Sequence, residues 1–485
     1  MGPNPARALT RRSALQAMLA SVPVAAWPQQ SSPAAALALA RVLNRINFRE
    51  LPETPVKYAK MIIASTLASA AAGREIGSAR IIRDLAKEQG GKPEASIWFD
   101  GVRLPVALAA RVNSMESDAA ASDDSDLRNV AHTGTCLTST GLALGERAGA
   151  TGQEVLAAMV AGYEAAGRVG ASLGKAGEAV SGSFGQGFHA SIIVAFGGTA
   201  TAGKLLRLTD EQMAEAIGIT ATTMGGLSIG TNSWAREYHA GNAAQCAVNA
   251  ALAAGRGYTV NPDMLEARRG FLAVFGGGVN TDALTRPIDR RWQIADYLAV
   301  KLVPGAHALQ PAVEAAVNVA RQAGIRPEQV ARILVSGPQI RVSGGSPAPH
   351  DMIEAIHSLP YFVASAIADK EFSWVHTTPE KIHRVEVARL IGLVQPDPAP
   401  PPVQYKWSWG ATVTLVTSSG ARFTSTVDAP RGSAPRGIEW AEIEAKYKAL
   451  MPESGLPAKR IESVLAMIRD FDQVKKVSEL TALLG

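Results

Sequence analysis

The chain has 485 residues, which at roughly 100–200 residues per domain allows two or three domains. Hydrophobic residues make up 47% and charged residues 19%, a globular composition and not a disordered one. The formal net charge is +5 with no lysine or arginine run, which gives nucleic-acid binding no support and suits a small anionic ligand.

The first 49 residues carry no Asp or Glu. Within them "TRRSALQAMLASVPVAAW" sets Arg11 and Arg12 ahead of a short apolar run. This resembles a twin-arginine export signal, with Leu15 near the expected apolar position and Ala14 where a bulkier residue is usual. Residues 1–32 are therefore expected to be a leader. The expected location is periplasmic, or cytoplasmic if the leader is not used. The run is too short to span a bilayer, and no later stretch reads as a transmembrane helix, so no membrane partner is expected.

Residues 33–297 are rich in Ala and Gly with helical periodicity, and predict an all-α domain. Thr151 followed by Glu154 forms a capping box ahead of an apolar face made by Val155, Leu156, Met159, Val160 and Tyr163. Thr209 and Gln212 repeat the device, with Leu208 and Met213 as a hydrophobic staple. Asn261-Pro262 reads as a further N-cap with proline at the first helical position. Small-residue runs such as "GGTATAGK" and "GNAAQCAVNAALAAG" allow helices to approach closely. The two cysteines, Cys136 and Cys246, lie among small apolar residues and read as buried thiols, neither a disulfide framework nor a zinc motif.

The character changes near Trp292. "KLVPGAH" and "ARILVSG" read as short strands, and "ATVTLVTSSGARFTSTVD" as a hairpin around Ser-Ser-Gly. "AVEAAVNVARQAG" and "SLPYFVASAIAD" read as helices between them, and "PDPAPPP" as a stiff loop. Residues 298–430 thus predict a smaller α+β domain. Residues 431–485 predict helices that return to the first domain. The fold class is mostly α, a large helical domain plus a smaller α+β lid.

The stretch "AASDDSDLRNVAHTGT" carries Asp123, Asp124 and Asp126 ahead of His132. Such a cluster can hold a metal, move a proton, or face water. Adjacent Asp123 and Asp124 point differently on most backbones, and no second histidine follows at a helical interval, so no metal is expected. An acid–base site and a solvated acidic loop both remain. His189 follows a glycine-rich approach, Gly182, Gly185 and Gly187, and precedes an apolar helix, a pattern suited to anions. Arg236, Glu237 and His239 stand together in "TNSWAREYHAGNAAQCAVNA". Arg236 there either grips a carboxylate in a bidentate fork or makes a local surface pair with Glu237. His350, His357, His376 and His383 read as surface or core residues.

The blocks "GFHASIIVAFGGTATAGKLLRLTDEQMAEAIGI", "REYHAGNAAQCAVNAALAAGRGYT", "LEARRGFLAVFGG" and "HSLPYFVASAI" resemble the MmgE/PrpD family in order and spacing, over about residues 35 to 480. That family includes 2-methylcitrate dehydratase, cis-aconitate decarboxylase and an iminodisuccinate epimerase. The resemblance implies a helical domain with an α+β lid, a homodimer, and chemistry with no metal and no organic cofactor. It places Asp123, Asp124 and Ser125 on an Asp-Asp-Thr, His132 on a histidine, His189 on the histidine of Phe-His, and Arg236 on a lysine. The lid histidine falls nearest His307 in "PGAHALQP". An acid usual at the position of Ala121 is missing, and arginine in place of lysine removes a neutral amine there.

On this resemblance one of His132 and His189 abstracts a proton beside a carboxylate and the other protonates the leaving hydroxyl or the returning carbon. Arg236 grips a substrate carboxylate, Asp124 orients an imidazole, Ser125 donates a hydrogen bond, and His239 adjoins them. The expected reaction is (de)hydration of a small di- or tricarboxylate. The alternatives are epimerisation or decarboxylation on the same scaffold, or an exported carboxylate-binding protein without catalysis.

Overall fold

The computed structural model describes residues 34–173, 187–288, 291–340, 342, 348–405 and 407–485. The twin-arginine reading, Gly182 and Gly185 lie outside the described residues. Most of the described chain is helical. The helices that matter to the site are α1 (Glu53–Gly73), α2 (Val106–Ala119), α3 (Thr133–Ala148), α4 (Gly152–Ser172), α5 (Ser191–Leu205), α6 (Asp210–Thr223), α7 (Ala235–Ala254), α8 (Gln310–Ala323), α9 (Leu359–Asp369), α10 (Trp440–Leu450) and α11 (Ala458–Arg469).

Both expected capping boxes form. The Thr151 hydroxyl accepts from Glu154 N–H at 3.2 Å, and the Glu154 carboxylate accepts from Thr151 N–H at 2.8 Å. Thr209 and Gln212 make the same reciprocal pair. Each satisfies helix-terminal donors that would otherwise go unpaired. Leu208 and Met213 are both buried in the same core. The small residues permit the close helix contacts: a Cβ at Gly162 in α4 would sit 2.7 Å from the Gly197 carbonyl of α5. Asn261-Pro262 does not begin a helix. Residues 262–266 are turns, and Gly270 interrupts the run where its Cβ would lie 2.8 Å from the Met264 carbonyl. The next helix starts at Phe271. Cys136 is buried, whereas Cys246 is only partly so.

Residues Ala35–Gly485 form one unit by their contacts, so the boundary expected at residue 298 does not appear as a separation. It appears as a change of core. The larger core joins α1 through α7 to Ile443, Tyr447, Leu450, Val464 and Ile468 of α10 and α11. A second core joins α8 and α9 to a four-stranded sheet. Its strands are β3 (Val330–Ser336), β4 (Val394–Pro396), β5 (Ala411–Thr417) and β6 (Arg422–Val427), in the order β4-β3-β5-β6. β5 and β6 make the expected hairpin, and β4 runs parallel to β3.

One short ladder was not anticipated. Residues Asp124–Asp126 form a strand, β1, that pairs antiparallel with β2, Leu298–Val300. Asp and Ser are poor strand formers, so tertiary pairing overrides local preference here. β2 ends at Val300, and "KLVPGAH" itself runs through turns. The ladder buries Asp123, Asp124 and Asp126, each 1% exposed or less, which removes the solvated-loop reading. Among the described residues no helix is long and apolar enough to cross a membrane.

Candidate active site

A carboxylate buried without partners is costly, so the three aspartates have to be accounted for one by one. Asp126 accepts from the backbone N–H groups of Arg128 and Asn129 at 2.9 and 3.0 Å. Asp124 accepts from Gly134 N–H at 2.9 and 3.0 Å, at the start of α3, where the helix dipole favours an anion. Burial, then the charge of Asp123, pushes its carboxyl up to about 7. Asp123 lies between two cations: its Oδ1 is 2.6 Å from Lys301 Nζ and its Oδ2 is 2.8 Å from His132 Nδ1. Burial opposes its ionisation, but His132 and Lys301 together hold it well below the usual carboxylate range.

The carboxylate that orients an imidazole is therefore Asp123, not Asp124 as the sequence suggested. Strand alternation explains the exchange. Asp124 and Asp126 share one face and Asp123 shares the other with Ser125. The Ser125 hydroxyl is buried and has no hydrogen-bond partner among the described residues.

His132 is the residue that leads into α3, and its side chain is 21% exposed while Asp123 behind it is 0% exposed. Its Nδ1 meets two acceptors, Asp123 Oδ2 at 2.8 Å and the Asp124 carbonyl at 2.8 Å. Nδ1 must then carry the hydrogen, and in the neutral ring Nε2 keeps its lone pair. Burial opposes protonation, yet the Asp123 charge raises the pKa above the ordinary histidine value.

His189 has the opposite arrangement. Its Nδ1 accepts from Ser191 N–H at 3.2 Å, with Ser191 Oγ 3.0 Å away. The neutral ring therefore carries its hydrogen on Nε2. Burial first, then the charges of His132, His239 and Arg236, push its pKa down to about 3. His189 is therefore within electrostatic reach of His132, His239 and Arg236. His189 is set there by the segment before α5. His189 N–H donates to the Gly226 carbonyl at 3.0 Å, and Phe188 bridges to Leu227. That pairing also brings the loop before α7 against His239, whose ring centroid is 5.0 Å from that of His189. A cleft of about 840 Å³ lined by His239, Met224, Gly226, Tyr238 and Asn242 reaches His239, the outer member of this pair; His189 and His132 do not line it. A cleft of about 620 Å³ between Ile46 and Arg207 has none of these residues in its wall.

Arg236 is buried, and the surface-pair reading does not hold. Its Nη2 donates to the carbonyls of Asp118 and Ala119 at 3.0 and 3.1 Å, and its Nε lies 3.2 Å from Asp118 Oδ2. Glu237 is next at 3.6 Å. The guanidinium is thus bound to the protein's own acid, a partner absent from the sequence reading. His307 is buried at 4% exposure, and neither ring nitrogen has a hydrogen-bond partner among the described residues. Burial, then the positive Lys301, pushes its pKa well below the ordinary value. His357, read as a bland residue, joins the same neighbourhood: burial, then Arg236, brings it down to about 4.

Asp118, Asp123 and His132 offer ligand atoms within 4.8 Å of one another. They do not suit a metal ion. Arg236 and Lys301 already neutralise the two carboxylates, so the cluster has no excess negative charge to draw in a cation. The arrangement suits proton transfer beside an anion.

Sequence reasoning missed Lys301, Lys446 and Asp118. Lys446 carries a readable signal. It lies with Ile443, Tyr447 and Leu450 at spacings of three, four and seven, on the apolar stripe of α10 where a lysine is out of place. Lys301 is a lone cation after the apolar β2. Asp118 has no distinguishing pattern.

The chain matches the MmgE/PrpD N-terminal domain over residues 37–283 and the MmgE/PrpD C-terminal domain over residues 304–470. It is similar to cis-aconitate decarboxylase of Homo sapiens, 24% identical over 456 residues that cover 92% of this chain and 93% of that protein. It is also similar to cis-aconitate decarboxylase of Mus musculus, 22% identical over 461 residues that cover 92% of each chain. With both domain models matched in order, and the buried acid–base cluster drawing on both matched regions, the chain belongs to the MmgE/PrpD family.

Proposed function

We propose that this chain is a cofactor-independent acid–base enzyme that adds water to, or removes it from, a small di- or tricarboxylate. The observation that carries the reading is the pair of opposed tautomers: a lone pair on His132 Nε2 and a hydrogen on His189 Nε2. His132 takes the proton from the carbon beside a substrate carboxylate, with Asp123, kept ionised by Lys301, stabilising the imidazolium that forms. His189, held neutral, donates to the oxygen on which negative charge builds. The proton gathered by His132 leaves with the departing hydroxyl as water. His307, Ser125 and His239 supply polar atoms to the bound carboxylates. The second core is read as the lid over this site, with Lys301 and His307 in the stretch that leads into it.

The likeness to the human and mouse cis-aconitate decarboxylases favours a second reading on the same residues. There CO2 leaves, and His132, whose pKa is raised, returns a proton to the carbon.

The test is to incubate the chain in D2O with a panel of small di- and tricarboxylates and follow proton and carbon NMR. Loss of the α-proton signal with new vinylic signals and no CO2 supports dehydration. Release of labelled CO2 supports the second reading. α-Proton exchange without either product marks epimerisation. Binding with no exchange and no product across the panel overturns the enzymatic proposal.

A further inference from the structure

The backbone that presents Asp123 to His132 begins in a costly conformation. Ala121 has φ +49°, in the left-handed region that a residue with a Cβ rarely adopts. Such a conformation persists only where its surroundings over-determine it. Four successive carbonyls show how this is done. Ala121 O accepts from Gly305 N–H at 3.0 Å, and Asp123 O accepts from Lys301 N–H at 3.0 Å. Asp124 O meets His132 Nδ1 at 2.8 Å. The remaining carbonyl, Ser122 O, accepts from the ammonium of Lys446.

Lys446 reaches this point from α10, more than three hundred residues later in the chain. It is 3% exposed, and its Nζ also donates to Ser65 Oγ of α1 at 2.7 Å. It lies 5.8 Å over the Trp374 ring, which belongs to the segment after α9. The titratable groups facing it are Asp123, Asp124 and Lys301, together with His307, whose ring feels its charge. A buried lysine without a carboxylate partner of its own is a costly way to hold a helix in place. Burial, the largest influence, brings its pKa down to about 7. A leucine or methionine would fill the same stripe of α10 without that cost. What an apolar side chain could not do is donate to Ser122 O.

We propose that Lys446 is a positioning residue for the acid–base reaction, and that by anchoring the Ser122 carbonyl it holds the Asp123 carboxylate against His132. This rests on the reading of His132 as the base. It makes α10 a working part of the site.

Two roles for this lysine predict opposite signs. If it acted only as a nearby positive charge, removing it would raise the His132 pKa. If it positions Asp123, removing it loosens the Asp123–His132 contact and lowers that pKa. The experiment is an NMR titration of the full chain with labelled histidine, the His132 signal being assigned from Lys-intact His132→Gln. Lys446→Met is expected to lower the His132 pKa by about one unit, a tenfold shift in its protonation equilibrium. Lys446→Arg, which keeps a donor, is expected to restore most of it. Ser65→Ala removes the other anchor of the ammonium and keeps its charge. It is expected to lower the His132 pKa by a smaller amount, and it decides the matter if Lys446→Met does not fold. A His132 pKa unchanged or raised in a folded Lys446→Met, or unchanged in Ser65→Ala should Lys446→Met fail to fold, overturns the proposal. The readout needs no turnover, so a failure of the proposed reaction would leave this result standing by itself.

Discussion

The Lys301–Asp123–His132 chain is the part of the site whose energetics can be tested most directly. Asp123→Asn leaves Lys301 Nζ, with a side chain 2% exposed, beside a neutral amide. Breaking a buried ion pair by removing one partner costs about 3–5 kcal/mol. Lys301→Met leaves Asp123 with His132 as its remaining cation, so its cost should fall at the low end of that range. The double variant removes both charges at once, and replacing a buried pair with neutral groups is often close to neutral. A urea-unfolding cycle at pH 7 over the four proteins should then show the double variant far less destabilised than the two singles added together, a coupling of at least about 3 kcal/mol, the upper end for residues in contact. Asp123 is held well below the ordinary carboxylate pKa of about 3.9. Its contribution is therefore complete above that value and is lost as the pH falls through the depressed one. The gap between the parent and Asp123→Asn should narrow on acidification. Costs that add to within about 0.5 kcal/mol, or a gap that does not change in acid, would refute the buried-pair account.

The rate of α-proton exchange should rise as the pH passes the His132 pKa, above the ordinary value of about 6.5. In Asp123→Asn that limb should move to lower pH, and a limb that stays in place would show that Asp123 does not tune the base. His132→Gln should lower exchange by about 10²–10⁴-fold, the usual contribution of a positioned base, without changing the urea midpoint greatly. His307→Leu removes a buried imidazole whose nitrogens lack partners, each unpaired group costing about 1–3 kcal/mol. It should therefore unfold at higher urea and bind carboxylates less well in calorimetry; a loss of stability would mean the ring is satisfied within the fold. Thr151→Ala removes the α4 cap and should cost about 1 kcal/mol in the same urea assay with no change in exchange rate.

The parts of this molecule that local chemistry dictates were legible in the sequence. Thr151 and Thr209 cap their helices because a hydroxyl three residues ahead of Glu or Gln meets orphan donors whatever the tertiary fold. The β5–β6 hairpin follows from alternation on both sides of a Ser-Ser-Gly turn. Family resemblance alone singled out His132, His189, Arg236 and His307 together, since no local rule links residues so far apart. What could not be read was which carboxylate serves the base. Asp123 and Asp124 are adjacent and identical. Only the pairing of Asp124–Asp126 with Leu298–Val300 decides which of them faces Lys301 and which faces the start of α3. Asn261-Pro262 misled for the converse reason, a sound local signal overridden by the tertiary turn at Gly270, which packs against the Met264 carbonyl.

The same pairing accounts for the opposite pKa shifts of the two imidazoles. Both rings are largely removed from water, and burial alone would drive both toward the neutral form. They part because Asp123, the residue just before β1, brings its carboxylate to the ring of His132, while the hydrogen bonds of His189 are to the hydroxyl and amide of Ser191. Lys301 then keeps Asp123 ionised, so that it raises the His132 pKa instead of sharing its proton. A one-residue slip of β1 would exchange Asp123 for Asp124 and invert every assignment at the site. The register therefore decides which carboxylate meets His132, and Lys301 and Lys446 bond to the same segment: Lys301 to Asp123, and Lys446 to the Ser122 carbonyl.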